Sequence, residues 1–371
     1  MGTAPEEVEA VAQRLLCARK PLRAVSPPSL PEQISACVEG GGFAPVQLRA
    51  ATVQLLRGDP FLSAATRLNA WLLLSDARAN RRLFRGHYAE LQSAFAGEPA
   101  CALKVIALDV ARTGGAAGVQ RRERLSRVLA AYAKRNPPIG YCQGLNLVGD
   151  FLLQSGLGEE DCFWLLAHLI EEVMPRGHFV TMAGVLGDVR LFTALLAVRL
   201  PALHAHLIAL NAEPAQLFLP FLLLGLAAAP NFFLRTLALD ALLCDGGAGL
   251  FRLCLALLEL ATPALLREGE DVSRAMQAYL ITFDDYAGLL ERFEVIGLGE
   301  GLSVERAALT QWELKRAGAG RRAKCAPSSL ACVEAGLETP LDASPRIFRA
   351  QNVLARLFID YFRQPASSRS P

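Results

Sequence analysis

A chain of 371 residues, 52% hydrophobic and 20% charged, is long enough to bury a large core and too apolar to be disordered. Its formal net charge of +2, with no basic block dense enough to follow a phosphate backbone, argues against nucleic acid as a partner. Nine cysteines without a CxxC pair, mostly among apolar neighbours, read as reduced thiols of a cytoplasmic protein and argue against a zinc or disulfide framework.

The opening MGTAPEEVEA carries acids and lacks an apolar run, so it does not read as a signal peptide, and Glu6 stands where a myristoylation motif needs Ser or Thr. From there apolar residues recur at helical spacing nearly everywhere, and strand-like alternation is scarce. Breakers at Gly114-Gly115, Pro137-Pro138, Pro175, Pro201, Pro230 and Gly246-Gly247 divide the chain into pieces of ordinary helix length. The expectation is an all-α protein of many short helices without an internal repeat. Residues 1–60 form a helical N-terminal extension, 61–297 the main domain, and 298–371 a linker followed by an amphipathic helix.

Two polar clusters interrupt this pattern. In IALDVART, Ile106 to Thr113, Ile106 and Val110 lie four apart and can face a core. Asp109 and Arg112 lie three apart and are expected to meet on the exposed side of the same turn. A guanidinium held by a carboxylate and followed by Thr113-Gly114-Gly115 suits phosphate oxygens, because its planar donors are permanently charged and bidentate. The same spacing also describes an ordinary surface ion pair worth ~0–1 kcal/mol.

An amphipathic helix carrying Leu125, Val128, Leu129 and Tyr132 leads to the second cluster, NPPIGYCQGLN, Asn136 to Asn146. Its prolines fix the approach of the chain, and Gly140 and Gly144 bracket Tyr141, Cys142 and Gln143 so that a partner's backbone can come close. A neutral amide there both donates and accepts hydrogen bonds, so Gln143 can orient a water without titrating, or it can be a solvated side chain in a helix-capping loop. A nucleophilic Cys142, paired with His87, His168, His178, His204 or His206, would need a base beside the thiol, and no local signature supplies one. No G-x-x-x-x-G-K-[ST] sequence occurs, so no P-loop of its own is expected.

Further along, the one membrane-like stretch, Leu217 to Ala229, is cut by Pro220 and Pro230 before the roughly 20 residues a span needs, and is expected to be a buried core helix. From about Gln311 to Ser344 the pattern lapses into Gly, Ala, Ser, Pro and Arg and reads as a linker. Ser344-Pro345 then opens a last helix with Val353, Leu354, Leu357, Phe358 and Tyr361 on one face and Arg349, Arg356 and Arg363 seven apart. That helix suits docking on the core with solvated arginines, or an anionic membrane surface.

IALDVART resembles the I-x-x-D-x-x-R motif, and IGYCQGLN the Y-x-Q-G motif, of the TBC domain family of Rab GTPase-activating proteins, in matching order and separation. Arg67 and Trp71 fit the R-x-x-x-W near the family's domain start, and EEDCFWLLAHLIEEVMP and LPALHAHL resemble later family helices, so the likeness runs from about Arg67 to Gly297. The resemblance implies an all-helical fold that speeds GTP hydrolysis on a Rab in vesicle traffic. By motif position Arg112 would be the arginine finger and Gln143 the glutamine finger, with Asp109 bracing Arg112, Tyr141 lining the glutamine loop, and Gly144 and Thr113 supporting. It implies no cofactor of the chain's own, because GTP and Mg²⁺ arrive with the GTPase. It also implies a cytoplasmic protein without a transmembrane segment, touching endomembranes through the GTPase or its last helix. The alternative is a TBC-like scaffold that binds a Rab or another traffic protein without speeding hydrolysis. Where the family has a tryptophan and later a Trp-Asp pair, this chain has Phe221 and then Leu239-Asp240, a departure expected to repack apolarly and to bear on partner choice.

Overall fold

In a computed structural model, the structure describes residues 29–93, 100–113 and 118–319, apart from positions 176, 213, 226, 268, 270 and 300, together with residues 8, 11–13 and 15–18. Sixteen helices make up the described chain. They run α1 (Leu30–Gly40), α2 (Val46–Gly58), α3 (Ala64–Leu74), α4 (Ala77–Leu83), α5 (His87–Ser93), α6 (Ala100–Ala111), α7 (Val119–Arg135) and α8 (Leu145–Gln154). Next come α9 (Glu159–His168), which continues into one π-helical turn at Leu169–Val173, α10 (Ala183–Arg199), α11 (Pro201–Ala209) and α12 (Pro214–Leu224). Last are α13 (Phe232–Leu265), α14 (Val272–Thr282), α15 (Tyr286–Val295) and α16 (Leu302–Ala319).

The breakers act as their chemistry requires. Pro201 opens α11 at the first helical position, where its missing N–H costs nothing. Asn231 caps α13 by accepting from the Phe233 and Leu234 amides at 2.9 and 3.1 Å. Gly246 (φ 58°, ψ −143°) interrupts α13, so that element is two helices joined at a kink.

The core runs through the middle of the domain: Trp71, Tyr132, Phe163, Trp164, Phe192, Phe218 and Phe251 are all at most 2% exposed. α7 packs against α6, α8 and α9, placing both polar clusters at neighbouring helix ends. Leu217–Leu224 joins this core, as expected of a buried helix. The described helix long and apolar enough to cross a membrane by length and composition is instead α13, and 72% of its most apolar stretch is buried inside the fold.

Three features depart from the sequence expectation. Leu16–Ala18 (β1) pairs antiparallel with Ile296–Leu298 (β2), with Leu16 opposite Leu298 and Ala18 opposite Ile296, so the all-α fold carries one short ribbon. Long-range pairing of three residues leaves no alternation long enough to see in sequence. The second is Gln311–Ala319, expected as linker, which forms the last half of α16. Its glutamine, glutamate, lysine and alanines favour helix, and the helix is held by tertiary contacts on α10. Arg306 forks onto the buried Asp188 carboxylate at 2.7 and 2.6 Å, and Arg190 binds Glu313 and lies 4.6 Å over the Trp312 ring. Gly187 permits the approach, since a Cβ there would sit 3.2 Å from the Leu309 Cβ and the Thr310 amide. The rest of the expected linker and the last helix, residues 320–371, lie outside the described residues.

The third departure concerns Arg67 and Trp71, quoted only as motif positions. They converge on the buried Asp240: Arg67 Nε reaches Oδ2 at 3.1 Å and the Trp71 indole N–H donates to Oδ1 at 2.6 Å. Burial raises the Asp240 carboxyl to about 6 against the opposing pull of Arg67 and Trp71. Phe221 and Leu239, the residues that depart from the family's tryptophans, are 3% and 4% exposed, which is the apolar repacking expected. Leu239 lines a cavity of about 30 Å³ bounded also by Leu145, Phe151 and Leu224, about the space of one water.

Candidate functional site

Helix α6 ends at Ala111, so Arg112 and Thr113 follow directly from its last turn. Thr113 closes that end by donating its hydroxyl to the Asp109 carbonyl at 2.5 Å. Ile106 and Val110 face the core as expected. Asp109 and Arg112 do meet, but not on the exposed side: the Asp109 side chain is 4% exposed and the Arg112 side chain 53%. The buried carboxylate thus anchors the root of a guanidinium whose far edge is in water. Burial needs compensating donors, and sequence spacing along one helix could not show that Asp109 has them from elsewhere.

Those donors come from the second cluster. The Tyr141 hydroxyl donates to Asp109 Oδ2 at 2.6 Å and lies 3.2 Å from Asn146 Oδ1. Burial, and then the Asp109 charge, hold the Tyr141 phenol well above its usual value, so it stays protonated as a donor. Asn146 Oδ1 accepts from the Gly144 amide at 2.9 Å, and its Nδ2 donates to Thr113 Oγ1 at 2.7 Å. The hydrogen bonds Tyr141 to Asp109, Asn146 to Thr113 and Thr113 to the Asp109 carbonyl form a ring that the backbone between Tyr141 and Asn146 closes. It fastens the end of α6 to the loop before α8.

The loop itself is built by its glycines and prolines. Pro137-Pro138 turns the chain out of α7, with Asn136 accepting from the Gly140 amide at 2.8 Å. Gly144 is the N-cap of α8 with φ 107°, and a Cβ there would lie 2.6 Å from Leu224 Cδ2 on α12. Only glycine satisfies both the backbone and the contact.

Gln143 stands between these fixed points, half-buried. Its amide Nε2 is buried without a protein partner. An unpartnered buried donor costs roughly 1–3 kcal/mol, so nothing hydrogen-bonded holds the side chain inward and rotation toward solvent relieves that cost. The structure therefore brings Arg112, Asp109, Thr113, Tyr141 and Gly144 together with the Gln143 backbone, while the Gln143 side chain lies outside the ring.

Cys142 is not equipped as a nucleophile. Its thiol is pushed up to about 12 by burial and then by the Asp109 charge, and it contacts the Gln143 carbonyl at 3.7 Å. The negligible thiolate near neutral pH removes the hydrolase reading. Among the described residues no group of three or more His, Cys, Asp or Glu is placed to hold a metal ion. Sequence reading missed Asn146, although it lay inside the quoted stretch. The signal was an amide two positions after a glycine N-cap, but its main partner is 33 residues away.

Comparisons with known proteins bear on family and fold. The Rab-GTPase-TBC domain model matches residues 64–266, more than half the chain. Small G protein signaling modulator 3 of Homo sapiens is 32% identical over 213 residues, 55% of this chain and 28% of that protein. TBC1 domain family member 2B of Mus musculus is 34% identical over 153 residues, 41% of this chain and 16% of that protein. A TBC domain-containing protein of Schizosaccharomyces pombe is 34% identical over 185 residues, 47% of this chain and 23% of the other. The chain thus covers about a quarter of such relatives' length. In fold it resembles the crystal structure of the Chlamydomonas flagellar RabGAP TBC domain, at a TM-score of 0.59 and 21% identity, covering 78% of this chain and 93% of that one. The Ypt/Rab-GAP domain of Gyp1p follows at a TM-score of 0.51 and 15% identity, covering 78% and 99%. With the matched region spanning both polar clusters and the helices that position them, the chain belongs to the Rab-GTPase-TBC domain family.

Proposed function

We propose that the protein accelerates GTP hydrolysis on a Rab-type small GTPase, supplying Arg112 and Gln143 to the partner's nucleotide. GTP and Mg²⁺ come with the partner, and the cytoplasm is the site of action. The observation that carries this reading is the hydrogen-bonded ring that fixes the root of an exposed arginine to a glutamine-bearing loop.

Each residue then has a physical task. Phosphoryl transfer asks the protein for charge compensation and for positioning of the attacking water. Arg112, held by Asp109, reaches the β- and γ-phosphate oxygens without having to be ordered first. Gln143, rotated outward, holds the water with a neutral amide, its loop kept in place by Tyr141 and Gly144. Thr113 and Asn146 keep the two supplying segments in register.

The test is single-turnover hydrolysis of GTP loaded on a panel of Rabs. Wild-type protein is expected to accelerate at least one of them, with the effect lost in Arg112→Ala and in Gln143→Ala. Tight binding to a Rab with no acceleration would instead identify a scaffold and end this reading.

A further inference from the structure

Away from that site, the end of α4 and the turn after it, Arg81 to Gly86, are exposed throughout. Leu83 is 63% and Phe84 47% exposed. One face of the Phe84 ring stacks 5.7 Å from the buried Trp164, and the rest of the ring is exposed. Three arginines stand among them. Arg81 is paired with Glu160 and Asp161, Arg82 donates to the Gly40 carbonyl, and Arg85 has no bonded partner among the described residues.

The Arg82 contact brings a second segment to the same place. Gly41 lies so close to α4 that a Cβ on it would be 3.2 Å from Arg82 Cδ. Two residues on, Phe43 is 59% exposed. Of the acids nearby in sequence, Glu39 accepts from Ser35, and Glu90, 78% exposed, lies 3.9 Å from His87. Single exposed apolar side chains are ordinary on a protein surface. Phe43 and Leu83, from two segments and beside Arg82 and Arg85, which have no carboxylate partner among the described residues, bury little and are not explained by folding.

We propose that this α4 tip, with Phe43, docks on an anionic phospholipid surface. Large apolar side chains at a helix end and a turn, not in a cleft, can enter the headgroup layer, while Arg82 and Arg85 meet lipid phosphates. The proposal is independent of GTPase activation, because none of its residues lies in the ring that holds Arg112 and Gln143.

Cosedimentation of the full chain with vesicles tests it. Binding is expected to phosphatidylcholine vesicles containing phosphatidylserine, to weaken with added salt, and to be absent with phosphatidylcholine alone. Leu83→Ser combined with Arg85→Ser is expected to weaken partitioning roughly tenfold or more, and Phe43→Ser to weaken it from the other segment. Both variants should keep the wild-type melting temperature and the wild-type acceleration of a soluble Rab. No binding by the wild type, equal binding to uncharged vesicles, or wild-type binding by the variants would each overturn the proposal. A self-association lost in the variants would overturn it too, by assigning the patch to a second copy of the chain.

Discussion

Asn146 joins the two segments with one side-chain amide, taking a hydrogen bond from Gly144 and giving one to Thr113. Asn146→Ala is therefore expected to leave the buried Gly144 amide unpaired, to take one bond from a Thr113 hydroxyl that still donates to the Asp109 carbonyl, and to lower unfolding stability by roughly 1–3 kcal/mol. With the ring open, the catalysed rate at saturating partner should fall on the order of 100-fold, the cost of a small misplacement. Arg112→Ala should cost a similar amount of stability, because it takes a donor from the buried Asp109 carboxylate, but about 1,000- to 100,000-fold of the acceleration. Chemical denaturation and single-turnover hydrolysis on the same two variants separate these outcomes. Arg112 and Asp109 were legible because three residues along a helix is a local distance. Asn146 was not, since its role depends on Thr113 from another segment.

Lys104 and Leu108 on α6 and Arg112 just beyond its end lie four residues apart and are all exposed, Leu108 by 64%. A partner reached by Arg112 must lie over Leu108. Leu108→Asp is expected to raise the concentration of activator needed for half-maximal acceleration about tenfold or more while leaving the plateau rate near wild type, as a titration of activator against a loaded Rab will read. The start of α8 is constrained differently. Gly144→Ala forces a side chain into both a positive φ and Leu224, and should cost roughly 1–3 kcal/mol in a denaturant titration. Gly140→Ala, at φ 59° but with its nearest neighbour 3.6 Å away, meets only the backbone penalty and should cost less. The breakers announced where these helices end. Which helix end faces which was decided by packing of α7 against α6 and α8.

Across the molecule, Asp240 ties α3 to α13 through Arg67 and Trp71, residues 173 and 169 positions away in sequence. Its carboxyl titrates near 6 when folded against an ordinary value of 3.8. Between those values the folded state binds more protons than the unfolded state, so this group's contribution to stability falls as pH rises from about 4 to 6 and is level above. Relative to Asp240→Asn, which cannot titrate, wild-type stability should decline over that window by on the order of 3 kcal/mol and then stay constant. Arg67→Met, which leaves the carboxyl buried without its cation, should cost roughly 3–5 kcal/mol at neutral pH. The motif positions Arg67 and Trp71 were visible in sequence as a spacing, and their common receptor was not.

The sequence by itself determined what depends on near neighbours: helical periodicity, the proline and glycine breaks, the Asp109–Arg112 pair, and the stiff loop around Gln143. Tertiary structure decided what depends on a free-energy balance between distant groups. It buried Asp109 because Tyr141 and Arg112 could satisfy it, wound Gln311–Ala319 into helix because α10 offered a surface, and turned the Gln143 amide inward. A side chain's neighbours along the helix are fixed by 3.6 residues per turn, whereas the cost of taking its charge out of water is fixed by partners that only the folded chain brings.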